Sequence, residues 1–116
     1  MSFQLGTSVL DACVLSALQK EDQYGYSLTQ EIRNLMDISD STMYPVLKRL
    51  KKEGYVETYE KPFDGRNRRY YTITDLGRVK FQSYIQEWIN YRNMMDKIII
   101  GGIDNEQNGF FKATET

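Results

Sequence analysis

A chain of 116 residues, 41% hydrophobic and 27% charged, fits one domain with a modest core, and at this size oligomerisation is a live expectation. A single cysteine, Cys13, excludes an intrachain disulfide, and no secretory leader or long apolar run is present, so a soluble, cytoplasmic protein with no membrane partner is expected. The net charge of −1 argues against a nucleic-acid binder, but it hides a division. Residues 48–80 carry ten Lys and Arg against five Asp and Glu, a local +5, which leaves five against eleven, or −6, elsewhere.

Val9, Leu10, Ala12, Cys13, Val14, Leu15, Ala17 and Leu18 follow Thr7 and Ser8 and stop at Gln19-Lys20-Glu21-Asp22. This run predicts a first helix buried on most sides, with a strand as the alternative. A second apolar face would also suit a helix shared between the domain core and a dimer interface. Cys13 reads as a buried small hydrophobe. Gln23-Tyr24-Gly25-Tyr26 breaks the pattern. Ser27 and Gln30 then have capping-box spacing, and Leu28, Ile32, Leu35 and Met36 recur at helical spacing, predicting a second amphipathic helix that ends near Asp37.

About four residues later a third helix begins near Ser41, the connection expected of a helix-turn-helix. Met43, Val46, Leu47 and Leu50 form its core face, leaving Ser41, Tyr44, Pro45, Lys48, Arg49 and Lys52 over the rest. Pro45 falls only about one turn in, where backbone donors are largely unpaired, and Lys51, Lys52 and Gly54 make a favourable end. Hydroxyls at its start and cations towards its end suit a helix laid against DNA. An ordinary solvated face is the plain alternative.

Residues 55–60 change to a period of two and predict a strand, 61–67 are a breaker cluster, and 68–73 form a second strand. Together they make a hairpin with Asp64-Gly65 in its turn. Lys61, Arg66, Arg68 and Arg69 cluster near the tip, either to protect a sheet edge or as a wing reaching along the DNA backbone. Arg68 and Arg69 point to opposite faces, so at most one serves the same DNA surface; Tyr70 and Tyr71 alternate likewise, and one of them belongs to the core.

Thr74 is the expected N-cap of a last helix, with Asp75 in its first turn. Phe81, Tyr84, Trp88, Tyr91, Met95 and Ile98 fall at spacings of a heptad seam, widened by Ile85, Ile89 and Ile99. Such a stripe is too broad for this small domain to cover. The helix is therefore expected to pair with its symmetry mate while leaning on the first helix, and to stop at Gly101-Gly102. The reading divides the chain into a winged helix-turn-helix domain (1–73), a C-terminal dimerisation helix (74–102) and a flexible tail (103–116), mainly α with a small β-hairpin.

Individual motifs go further and resemble the PadR family of bacterial transcriptional regulators over roughly residues 9–100. The matching stretches are Tyr24-Gly25-Tyr26-Ser27-Leu28, Ser41-Thr42-Met43-Tyr44-Pro45-Val46-Leu47-Lys48-Arg49-Leu50, Glu53-Gly54-Tyr55-Val56, Gly65-Arg66-Asn67-Arg68-Arg69-Tyr70-Tyr71 and Thr72-Ile73-Thr74-Asp75-Leu76-Gly77. The single C-terminal helix is similar to the short-chain branch, whose members dimerise through that helix and the first one. The resemblance implies a homodimeric repressor that binds an inverted-repeat operator on double-stranded DNA and releases it on a small-molecule signal. It implies DNA contacts from Tyr26, Ser41, Thr42, Tyr44, Pro45, Lys48 and Arg49, with Arg66, Arg68 and Arg69 on or near the wing. Helical geometry supports Tyr44 and Lys48 on one exposed side but rotates Arg49 away by about 100°. Half-sites near one helical turn apart, about 34 to 36 Å, suit a two-fold dimer.

Trp88 and its symmetry mate could wall a cavity for an aromatic or hydrophobic effector, or simply pack shut. An enzyme is not expected, and neither a metal nor a cofactor: there is no histidine, no Gly-rich phosphate loop, no paired metal-ligand motif and no clustered carboxylates. The competing function is a winged-helix protein-interaction module whose basic face binds an acidic protein partner.

Overall fold

The structure is a computed structural model and describes residues 7–101. The first apolar run is helical: α1 (Thr7–Lys20) buries Leu10, Val14, Leu15 and Leu18 at three- and four-residue spacing, with Val9, Ala12, Cys13 and Ala17 half-buried. α2 (Gly25–Met36) buries Leu28, Thr29 and Ile32, and its apolar face ends before the last turn, where Leu35 is exposed. Its start differs from expectation. The helix opens at Gly25, and the N-cap residue Tyr24 has extended backbone with no side-chain cap, so Ser27 and Gln30 form no capping box. The physical reason is a short strand, β1 (Gln23–Tyr24), which delivers the chain into the helix already extended.

Asp37 takes a left-handed conformation at the end of α2 and donates its N–H to the Arg33 carbonyl at 2.8 Å. Arg33 braces the turn from its other side, donating from Nε to the Ile38 carbonyl at 3.1 Å. α3 (Asp40–Lys52) then buries Met43, Val46, Leu47 and Leu50 as its spacing predicts. Ser39 is its N-cap residue, with its hydroxyl spent on Ser41 Oγ at 2.8 Å and Thr42 Oγ1 at 3.2 Å. Because the helix begins at Asp40, Pro45 lies beyond the first unpaired donors and deprives the Ser41 carbonyl of its intrahelical partner. The exit is a Schellman motif: Tyr55 N–H donates to Leu50 O at 3.0 Å and Gly54 N–H to Lys51 O at 3.1 Å, with Gly54 at φ 85°.

β2 (Val56–Phe63) and β3 (Arg66–Ile73) pair antiparallel from Val56↔Ile73 to Phe63↔Arg66, closed by Asp64 and Gly65, both at positive φ. Pairing runs through the expected breaker cluster. Pro62 is tolerated because β2 is an edge strand in the order β1-β3-β2. The third strand, β1, pairs Gln23 with Tyr71 and Tyr24 with Tyr70 and was not expected; two residues are too few to display a period.

α4 (Asp75–Met95) starts as predicted, with Gly77 N–H donating to Thr74 Oγ1 at 2.9 Å. Thr74 Oγ1 in turn donates to the Gly54 carbonyl at 2.6 Å, and Thr74 N–H to the Tyr55 carbonyl at 3.1 Å. This brings α4 so close to the α3 exit that a Cβ on Gly77 would lie 2.1 Å from Tyr55 O. Among the described residues, 7–84 form one compact unit and 85–101 belong to another. In that second unit α4 ends and a π-helical turn, η1 (Asp96–Ile100), follows. Ile85, Trp88, Met94, Ile98, Ile99 and Ile100 are exposed, and the Trp88 and Tyr91 rings lie 6.2 Å apart. Gly101 is still helical at φ −61°, ψ −35°, so the predicted stop does not fall there; Gly102 and the tail lie outside the described residues. Among the described residues no helix is long and apolar enough to cross a membrane.

Replacing Gly77 with Ala is expected to cost about 1–3 kcal/mol through overpacking against rigid backbone. Urea unfolding would read this as a lower midpoint, with the wild-type slope retained if only the native contact is affected.

Candidate nucleic-acid interface

Burial of four apolar side chains fixes which side of α3 faces outward. Ser41, Thr42, Tyr44, Pro45 and Lys48 are all exposed, Tyr44 at 65%. Arg49 is different. Its guanidinium turns inward, donating from Nη2 to Asp11 Oδ1 and pairing through Nη1 with Glu53 Oε1 at 3.5 Å. Asp11 is 2% exposed, and its second oxygen accepts from the Tyr84 hydroxyl at 2.7 Å. The hydrogen bond to Asp11 is the first cause holding the Arg49 guanidinium above its ordinary pKa. Burial, followed by the hydrogen bond to Asp11, pushes the Tyr84 phenol up.

Arg49 is thus committed to joining α3 to α1, as its rotation on the helix foreshadowed. Tyr84, expected on a partner-facing seam, is buried within its own unit because its hydroxyl closes this network. Asp11 was missed by sequence reasoning. The signal was available: a lone carboxylate inside the apolar run from Val9 to Leu18 must find a charged partner. Cys13, half-buried beside Met36 with Sγ to Sδ at 3.6 Å, has its thiol pKa raised by burial.

The sheet sorts the wing cations by parity. Tyr59, Lys61 and Phe63 stand opposite Tyr70, Arg68 and Arg66 on one face, while Glu60 opposes Arg69 on the other. Arg66 and Arg69 are exposed. Arg68 is half-buried, with Cζ 4.0 Å from the Phe63 ring centre and 4.4 Å from that of Tyr24. Tyr59 and Tyr70 stack at 5.6 Å, and Lys61 Nζ lies 5.1 Å over Tyr70. Tyr71 points the other way: a Cβ on Gly25 would be 3.1 Å from its ring, so it packs at the start of α2. Tyr26, 65% exposed, stands 6.2 Å from the Tyr24 ring. Among the described residues no group of three His, Cys, Asp or Glu could hold a metal ion.

A helix-turn-helix followed by a cationic antiparallel hairpin defines the winged-helix class of DNA-binding proteins. Residues 14–83 match the Transcriptional regulator PadR-like family. The chain belongs to this family, whose members are DNA-binding regulators of transcription rather than enzymes. A solved structure of a Streptococcus mutans UA159 protein is 36% identical, with a TM-score of 0.77, over 87% of this chain and 95% of that one. The structure of a PadR family transcription regulator from Clostridium difficile R20291 is 28% identical, with a TM-score of 0.71, over 78% of this chain and 97% of that one. The negative transcriptional regulator PadR of Bacillus subtilis is 29% identical over 83 residues, 66% of this chain and 45% of that protein.

Arg49→Ala is expected to lower stability by roughly 3 kcal/mol, because it leaves the buried Asp11 carboxylate without a cation. Glu53→Ala, on the exposed side of the same arginine, is expected to stay within about 0.5 kcal/mol. Denaturant unfolding of the two variants compares them directly. Tyr84 supplies a pH test. Its folded pKa lies above the unfolded value, so the proton is held more tightly in the folded chain, and the stabilisation is complete below about pH 10 and lost as pH rises through the folded value. Tyr84→Phe should flatten the alkaline fall in stability, while Tyr59, raised chiefly by its hydrogen bond to Asp22, contributes to what remains.

Proposed function

We propose that this protein is a homodimeric, ligand-responsive repressor that binds an inverted-repeat operator through α3 and the wing. The observation that carries the reading is the segregation on α3, where every apolar core residue is buried and Ser41, Thr42, Tyr44, Pro45 and Lys48 are exposed together. Hydroxyls and the Tyr44 ring suit base edges and sugar, and Lys48 suits phosphate. Arg66 and Arg69 extend the cationic surface along the hairpin, and Tyr26 adds a contact at the start of α2. Arg49 takes no part in the contact set.

In this reading α4 serves two ends. Residues 75–84 complete the DNA-binding unit, and the exposed Ile85, Met94, Ile98 and Ile99 give the following unit an apolar surface for a second copy, together with Trp88, Tyr91 and Met95 of the predicted seam. Repression follows the name of the Bacillus subtilis relative. The effector would be a flat aromatic or hydrophobic molecule near Trp88, acting by binding more tightly when the two copies of α3 are wrongly spaced for DNA, since equal affinity for both states shifts nothing.

Fluorescence anisotropy of a labelled duplex from the protein's own upstream region, against a scrambled duplex with salt varied, tests the reading. Tighter binding to the native duplex with a steep salt slope is expected. Lys48→Ala should weaken binding to both sequences alike and lower the slope by about 0.9 per contact removed. Weak, equal, salt-insensitive binding would overturn it and favour an acidic protein partner for the same basic face.

A further inference from the structure

Arg68 lies on the central strand, directly opposite Lys61, so two cations meet across the hairpin on one face. Like charges in that position destabilise a strand pair unless something else holds them. Here the holding groups are aromatic. Tyr24, on β1, pairs with Tyr70 and is diagonal to Arg68 on one side; Phe63, on β2, pairs with Arg66 and is diagonal to it on the other. The guanidinium sits over both rings, at 4.4 Å from Tyr24 and 4.0 Å from Phe63. Arg68 Nε is buried and has no hydrogen-bond partner among the described residues, so at this end of the guanidinium the two ring faces take the place of an acceptor.

We propose that Arg68 is a positioning residue, a clasp between Tyr24 and Phe63 that locks the wing to the entrance of α2 and thereby sets where Lys61, Arg66 and Tyr26 meet DNA. It does not bind phosphate itself. The geometry explains why the arrangement spans three strands: Phe63 stands beside the turn, 48% exposed, at the end of the hairpin farthest from the core, whereas Tyr24 is the N-cap residue of α2 and neighbours Tyr26. Without the clasp Phe63 would lose its side-chain contact with β3, and beyond Lys61 the tip of β2 would keep its backbone pairing. A lysine at this position would keep the charge but lose the plane that two rings can cover at once.

The inference rests on the DNA-binding reading only for its second measurement. The first is amide hydrogen exchange on the DNA-free protein, comparing wild type with Arg68→Lys, Arg68→Ala and Phe63→Leu. Phe63→Leu removes one ring and no charge at an exposed site, so it remains informative if an arginine variant folds poorly. All three variants should exchange roughly fivefold faster across residues 61–68. Unchanged exchange in Arg68→Lys and Phe63→Leu would overturn the proposal. The second measurement is duplex binding against salt, where all three should bind roughly fivefold more weakly per protomer with the wild-type salt slope. If instead Arg68→Lys binds as wild type while Arg68→Ala lowers the slope by about 0.9 per contact, Arg68 is a phosphate contact and the clasp is wrong. A wild type that ignores every duplex counts against the DNA reading alone, and the exchange experiment still decides the clasp.

Discussion

A carboxylate in a hydrophobic helix is the constraint on which the first unit depends. Asp11 occupies a position in α1 that packing would give to an apolar residue, and a charge so deeply buried persists only if its lone pairs are filled. Arg49 from α3 and Tyr84 from α4 fill them. Three helices far apart in sequence are thereby joined through two oxygen atoms. Burying the Asp11 charge is costly, so the ion pair by its presence is weak evidence of net stabilisation. Its effect on function is indirect: α3 presents its outer face at a fixed rotation because its inner face carries a charged anchor as well as four apolar side chains.

That anchor also shows where sequence reading succeeds and where it stops. Helical spacing on α3 identified Met43, Val46, Leu47 and Leu50 as core and left Tyr44 and Lys48 outside, because a period of 3.6 is a local property of the chain. Helical rotation likewise set Arg49 apart from Lys48. What pattern could not supply was the partner, since Asp11 lies in another helix and no local rule pairs the two. The same limit accounts for β1. A two-residue strand exists only because β3 offers it an edge, and the residues that form it carry no period of their own. Its presence displaced the expected capping box at Ser27, a local signal overridden by a tertiary one.

The wing was legible in outline and misjudged in extent. Lys61, Pro62 and Phe63 read as breakers, yet a tight two-residue turn lets pairing run to the very end of both strands. Parity correctly separated Arg68 from Arg69, and Tyr70 from Tyr71, but alternation says only which face a side chain takes. That Arg68 is enclosed by rings while Arg66 and Arg69 stay exposed follows from strand order, with β3 in the middle and an aromatic residue diagonal to Arg68 on each flank. Charge counted along the sequence does not distinguish Arg68, half-buried between two rings, from the exposed Arg66 and Arg69.

The junction at Gly54, Tyr55, Thr74 and Gly77 bears on how such a protein can vary through descent. There the end of α3, the base of the hairpin and the start of α4 meet through main-chain atoms and the Thr74 hydroxyl, at a spacing that leaves no room for a Cβ on Gly77, so the identities of Thr74 and Gly77 hold their geometry. The opposite end of the hairpin is unconstrained by that meeting point. Lineages can lengthen or shorten the wing by residues in matched pairs and keep both the parity of its cations and the origin of α4. A single residue added to β3 between Arg69 and Ile73, where no bulge absorbs it, would exchange the faces of Arg68 and Arg69.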